Sequence, residues 1–235
     1  MLETLDLDKS IDKEAYSKSF PVLRDKLRAL QRQTYDAKIP VAVVFEGWDA
    51  AGKGDTVGKL VERLDPRGVK VHPISAPLEE ESLRPFLWRF WTKVPGRGEM
   101  AVFDRSWYGR VLVERVEGFA PEADWQRAYT EINDFEADML RHGLVTVKFW
   151  LNISKAEQLR RFKEREQIGF KRFKITDEDW RNREKWDEYQ HAVCDMVDRT
   201  STEIAPWVLV EANDKNFARI KILKTLCQHI EAAMG

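Results

Sequence analysis

The feature that most constrains this chain is the apolar run Val41-Ala42-Val43-Val44-Phe45, which leads through Glu46 into Gly47-Trp48-Asp49-Ala50-Ala51-Gly52-Lys53-Gly54. A continuous apolar run closed by a glycine turn reads as a strand buried on both faces. The spacing fits G-x-x-x-x-G-K, with a helix opening at Lys53. In such a strand–loop–helix unit the glycines let backbone N–H groups point inward, and the helix start adds free N–H groups and the positive end of its dipole. Lys53 adds a mobile positive charge. The expected phosphate-binding residues are therefore Gly47, Ala50, Ala51, Gly52, Lys53, Gly54 and Asp55. Gly54 stands where a Ser or Thr normally binds magnesium, and Asp49 inside the loop can replace that lost ligand.

The rest of the chain supplies a matching scaffold. Its 235 residues suffice for one substantial domain. Further strands are expected at Val69–Ile74, Met100–Phe103, Val145–Leu151 and Trp207–Val210. Helices are expected at Pro21–Ala37, Lys53–Leu64, Glu80–Trp91, Ala123–His142, Lys155–Glu166, Glu178–Arg199 and Phe217–Ala233. Strands alternating with helices predict an α/β fold with a mostly parallel five-stranded sheet covered on both faces. Residues 1–19 read as an N-terminal extension and 20–235 as a single domain.

Several function classes are disfavoured. Basic and acidic side chains, 39 and 40, nearly cancel, which speaks against a globally basic nucleic-acid binder. Cys194 and Cys227 have no metal-ligand or disulfide spacing. With neither a hydrophobic leader nor a run long enough to span a membrane, a cytoplasmic protein is expected. The four histidines are scattered outside any motif.

A second block completes the site. The third strand runs into Asp104-Arg105-Ser106-Trp107-Tyr108-Gly109-Arg110. In open α/β sheets ligands bind beyond the carboxyl ends of the strands. Asp104 can thus reach a magnesium ion on bound phosphates, or simply cap the next helix. Arg105 and Arg110 offer forked donors to phosphate oxygens. Residues 108–115 are expected to continue as a helix. There Arg110 and Glu114, four apart, form either a surface ion pair or, through Glu114, a contact to an acceptor nucleotide. Trp48 either packs under the loop or lies beside a ligand; most other tryptophans are expected in the core.

Residues 160–174 hold seven basic and two acidic side chains. Such a run is either a solvated face or, following the fourth strand, a lid over about 160–190 that closes on phosphates, with Gly169 as a hinge.

Together these blocks resemble the second polyphosphate kinase family: Gly47–Gly54 as a variant Walker A with its internal Asp49, Asp104–Arg110 as the Walker B block, and the basic lid. The resemblance covers roughly residues 20–233. It implies a P-loop kinase fold with a helical lid and magnesium-dependent, reversible phosphoryl transfer between inorganic polyphosphate and adenine or guanine nucleotides. Asp49, Lys53, Asp104 and Arg105 match the family's catalytic positions, with Asp49 and Asp104 as metal ligands. Arg172 and Lys174 match as phosphate binders by region, and Tyr108 and Glu114 are expected beside the nucleotide. Gly109, where diphosphate-preferring members often have Asn, points toward the AMP-phosphorylating group, with ADP or GDP as further acceptors. A homo-oligomer is expected, without nucleic-acid or membrane partners. The competing readings are an ATP-dependent nucleoside monophosphate kinase of the thymidylate type and a non-catalytic phosphate-sensing module.

Overall fold

The computed structural model describes residues 2–167 and 176–235. Five parallel strands, β1 (Val41–Gly47), β2 (Val69–Pro73), β3 (Met100–Asp104), β4 (Val145–Asn152) and β5 (Trp207–Glu211), form one sheet in the order β2-β3-β1-β4-β5. β1 lies at its centre, flanked by β3 and β4. The first six residues of β1 are buried, and the apolar run Val41–Phe45 within it follows from having a strand on each side and cover on both faces.

The helices are α1 (Lys13–Asp36), α2 (Lys53–Val61), α3 (Glu79–Ser82), α4 (Trp88–Trp91), α5 (Val113–Val116), α6 (Glu122–Arg141), α7 (Lys155–Gln167), α8 (Asp177–Glu184), α9 (Trp186–Thr200) and α10 (Lys215–Ala233). α1 packs along α10, and α6 and α9 pack together. Among the described residues no helix is long and apolar enough to cross a membrane.

The structure corrects four expected boundaries. α1 begins at Lys13 rather than Pro21, so much of the expected extension is helix. Asp12 is its N-cap and accepts from the Ala15 amide at 2.8 Å, and Pro21 is carried inside the helix. The single helix expected over 80–91 is two short ones, because Pro85 disfavours helical backbone at Arg84. The helix expected over 108–115 is a 3-10 turn, Trp107–Val111, followed by α5, with a break at Leu112 (φ −111°, ψ −98°). The helix expected over 178–199 is divided into α8 and α9 at Lys185.

Candidate active site

The carboxyl ends of β1, β3 and β4 converge, and the glycine loop leaves β1 between its two neighbours. Gly47 (φ 152°) lies so close to β4 that a Cβ would come 2.6 Å from the Leu151 carbonyl oxygen. Gly52 (φ 102°) turns the chain into α2, and Ala50 also takes a left-handed conformation. The first rung of α2 joins the Thr56 amide to the Gly52 carbonyl at 2.9 Å. The amides of Lys53, Gly54 and Asp55 precede it and stand at the positive end of the helix.

Lys53 is half-buried, and its Nζ donates to the carbonyl oxygens of Gly47 (2.6 Å) and Trp48 (3.1 Å). Burial lowers its pKa, against the opposing pull of Asp49. Asp49 accepts from Arg105 Nη2 at Oδ1 (3.2 Å) and from Asn182 Nδ2 at Oδ2 (2.9 Å). The loop and the β3 turn are thereby joined through one carboxylate. Asp104 faces Gly54, where a Cβ would stand 3.1 Å from its Oδ2. A side chain at position 54 would thus be in tight contact with the Asp104 carboxylate, which would have to give by a few tenths of an ångström.

One cleft brings together Asp49, Ala50, Gly52, Lys53, Gly54, Asp55, Asp104 and Arg105 with Arg161, Glu164, Arg165, Glu178, Asp179, Asn182 and Lys215. A neighbouring cleft is lined by Ser75, Phe86, Arg89, Arg110, Glu114 and Phe119, and shares Arg105 and Glu178 with the first. Arg110 lies over the Phe86 ring (4.7 Å), its Nε 3.0 Å from Glu114 Oε2. The pair is an ion pair at the wall of this cleft. Burial raises the Glu114 pKa, against the pull of Arg110.

One site expectation is corrected. Tyr108 is fully buried; its hydroxyl bonds Glu136 and Lys148, so its side chain lines neither cleft. The Asp55 carboxylate is ion-paired with Arg219 of α10, which leaves its backbone amide as the group suited to an anion. Part of the basic run is likewise already committed. Arg160 pairs with Glu157 and Glu164. Arg161, 3 % exposed, donates to the carbonyls of Ala50, Ala51, Ala212 and Asn213 and to Glu157, bracing the loop from below. Gly169, Arg172 and Lys174 lie outside the described residues. Trp48 packs: it stacks on Trp186 at 3.8 Å, and its Nε1 donates to Asn152 Oδ1 at 2.8 Å.

Other contributors stand outside the sequence motifs. Asn182 and Gln158, whose Nε2 donates to the Asp49 carbonyl (3.1 Å), carry no motif. Glu46 is buried, accepts from Ser106 Oγ (2.8 Å), and has its pKa raised by burial, against the pull of Lys53. A carboxylate at the end of an otherwise apolar strand was the signal available for it.

Asp49 and Asp104 suit a hard cation, which prefers carboxylate oxygens. Among the described residues no three carboxylate, imidazole or thiolate side chains converge to hold an ion by themselves. A magnesium ion here would complete its shell with phosphate and water oxygens, as that ion usually does. The cleft carries six carboxylates against five basic side chains among the described residues. Magnesium would offset that excess, and the two carboxylates are of the type that fits it.

Comparison with known proteins agrees with this geometry. Residues 10–234 match the family model described as polyphosphate kinase 2. A polyphosphate:AMP phosphotransferase of Pseudomonas aeruginosa is 56% identical over 233 residues, 99% of this chain and 47% of the relative. An AMP/ADP-polyphosphate phosphotransferase of Meiothermus ruber is 39% identical over 208 residues, 88% of this chain and 78% of that protein. The crystal structure of polyphosphate kinase 2 from Arthrobacter aurescens superposes with a TM-score of 0.95 at 35% identity, covering 99% of this chain and 85% of that one. The chain spans about half the length of the polyphosphate:AMP phosphotransferases it matches from Pseudomonas. It carries the P-loop kinase fold and belongs to the polyphosphate kinase 2 family.

Proposed function

We propose that this chain transfers a phosphoryl group reversibly between inorganic polyphosphate and a nucleotide, with AMP as the favoured acceptor and ADP or GDP as further ones. The observation that most supports this is the pair of clefts meeting at Arg105. One contains the phosphate loop and suits a phosphate chain; the other, with Phe86, Arg110 and Glu114, suits an acceptor nucleotide. The relatives named polyphosphate:AMP phosphotransferase support the choice of polyphosphate as donor and AMP as acceptor.

In the forward direction an AMP phosphate oxygen attacks the terminal phosphorus of polyphosphate. The bond from that phosphorus to its bridging oxygen breaks, and the shortened chain leaves with the electron pair. The transition state is loose, so positioning and charge neutralisation do most of the catalytic work. The second pKa of a phosphate monoester is about 6, so the attacking oxygen is already largely ionised at neutral pH and needs no general base. Lys53 and the loop amides bind the transferring group, and Arg105 reaches it from the acceptor side. Asp49 and Asp104 would hold magnesium, whose charge offsets repulsion between phosphate oxygens and the carboxylates.

The test is to incubate the protein with magnesium, AMP or ADP, and either polyphosphate or ATP as donor, and to separate the products chromatographically. ADP formed from AMP and polyphosphate is the expected result. ADP formed only with ATP would indicate a thymidylate-type kinase. Binding without turnover would indicate a sensing module.

A further inference from the structure

Behind the Asp104–Arg105 turn lies a polar network to which the proposed reaction assigns no part. Glu136 of α6 and Lys148 of β4 form a fully buried ion pair at 2.7 Å. Glu136 Oε1 also accepts from Trp107 Nε1 (3.1 Å) and the Tyr108 hydroxyl (2.7 Å). Lys148 spends its three protons on Glu136 Oε2, the Tyr108 hydroxyl and the Thr200 carbonyl, at 2.7, 2.7 and 2.8 Å. Tyr108 and Lys148 are each 0 % exposed, so this charge pair meets no substrate.

What the network holds is the turn in front of it. Arg105 has φ 65°, a left-handed conformation that a residue with a side chain keeps only where its surroundings impose it. Its amide donates to the Phe45 carbonyl at 3.0 Å. Ser106 is tied to Glu46, and the next two residues are tied to Glu136. A buried ion pair is weak evidence for stability, since apolar residues of similar volume often do as well. It does fix directions, because each of its hydrogen bonds has a set geometry.

We propose that Glu136 and Lys148, acting through Trp107 and Tyr108, are positioning residues that hold Arg105 in its left-handed turn and so set the rate of phosphoryl transfer. This rests on the reading that Arg105 serves the transfer.

The test is a double-mutant cycle. Glu136→Gln with Lys148→Met replaces the pair by neutral side chains of similar size, and Tyr108→Phe removes only a hydroxyl. Each is made in the native and the Arg105→Ala backgrounds. Then kcat and the KM for AMP are measured at saturating polyphosphate and magnesium, below the melting temperature of every variant. With Arg105 present, kcat should fall about tenfold while KM stays within about twofold. With Arg105 absent, the further loss should be under about twofold, because coupled residues do not act additively. A tenfold loss in both backgrounds, or an unchanged kcat with Arg105 present, would overturn the proposal. Should the paired replacement not fold, Tyr108→Phe decides alone. Arg105→Ala turning over at the native rate would remove the underlying reading, and this proposal with it.

Discussion

Lys53 and Gly54 stand side by side and restrict the loop in different ways. Lys53 reaches back to two carbonyls of its own loop, which keeps the ammonium over the place where phosphates would lie. Lys53→Ala removes that charge while Ala remains a good helix former at the start of α2. The expected loss is on the order of 3 kcal/mol of transition-state stabilisation, about a hundredfold in kcat, with the protein still folded. Near-native turnover in the folded variant would dismiss the phosphate-loop role. Gly54 is limited by space, since any Cβ there meets the Asp104 carboxylate. Gly54→Ala and Gly54→Ser should therefore lose activity together at saturating magnesium. Activity retained by Ser alone would mean that the hydroxyl matters more than the displaced carboxylate.

At the scale of elements, the strand–loop–helix unit and the β3 turn were legible because each needs a local pattern: an unbroken apolar run, glycines at the turns, an acidic strand end. The bracing of that unit was not legible, because it comes from α7, far along the chain. Arg161 looked like one charge in a basic run, yet it is buried under the loop and donates to four backbone carbonyls. Tyr108 misled in the opposite direction: its place within the motif suggested a ligand contact, while its hydroxyl faces Glu136. A weak signal for the network did exist. Lys148 interrupts the apolar strand Val145–Asn152, and Glu136 follows Ile132 at one helical turn on the buried face of α6. Arg161→Met keeps the stem and strands the buried carbonyls without donors. It should destabilise the protein by about 3 kcal/mol or more, read from urea unfolding, since an unpaired buried polar group costs roughly 1–3 kcal/mol. Arg161→Lys should recover only part of this, because an ammonium cannot span two loops as the guanidinium fork does. A full recovery by Lys would reduce Arg161 to a simple charge.

For the whole molecule, the decisive quantity is where charge sits, since the net formal charge is only −1. A nearly neutral protein has little long-range field to gather a polyanion, so attraction has to be local. Among the described residues the cleft at the phosphate loop is slightly richer in carboxylates than in basic groups. Additional basic groups would strengthen binding of a long phosphate chain, and the sequence between α7 and α8 supplies Lys171, Arg172 and Lys174. If that segment tracks the donor, each further phosphate adds a contact that salt can screen. Neutralising Arg172 and Lys174 together, as Gln, should raise the KM for long polyphosphate more than for short chains. The KM for AMP should change least. Raising ionic strength should mimic the variant in the native protein and have a smaller effect in the variant, because the screened contacts are already gone. A nucleoside monophosphate kinase using ATP would show no dependence on donor chain length, and a solvated charge run would show no effect of either change. Equal losses for AMP and polyphosphate would make the segment a general closing element and not a channel for the donor.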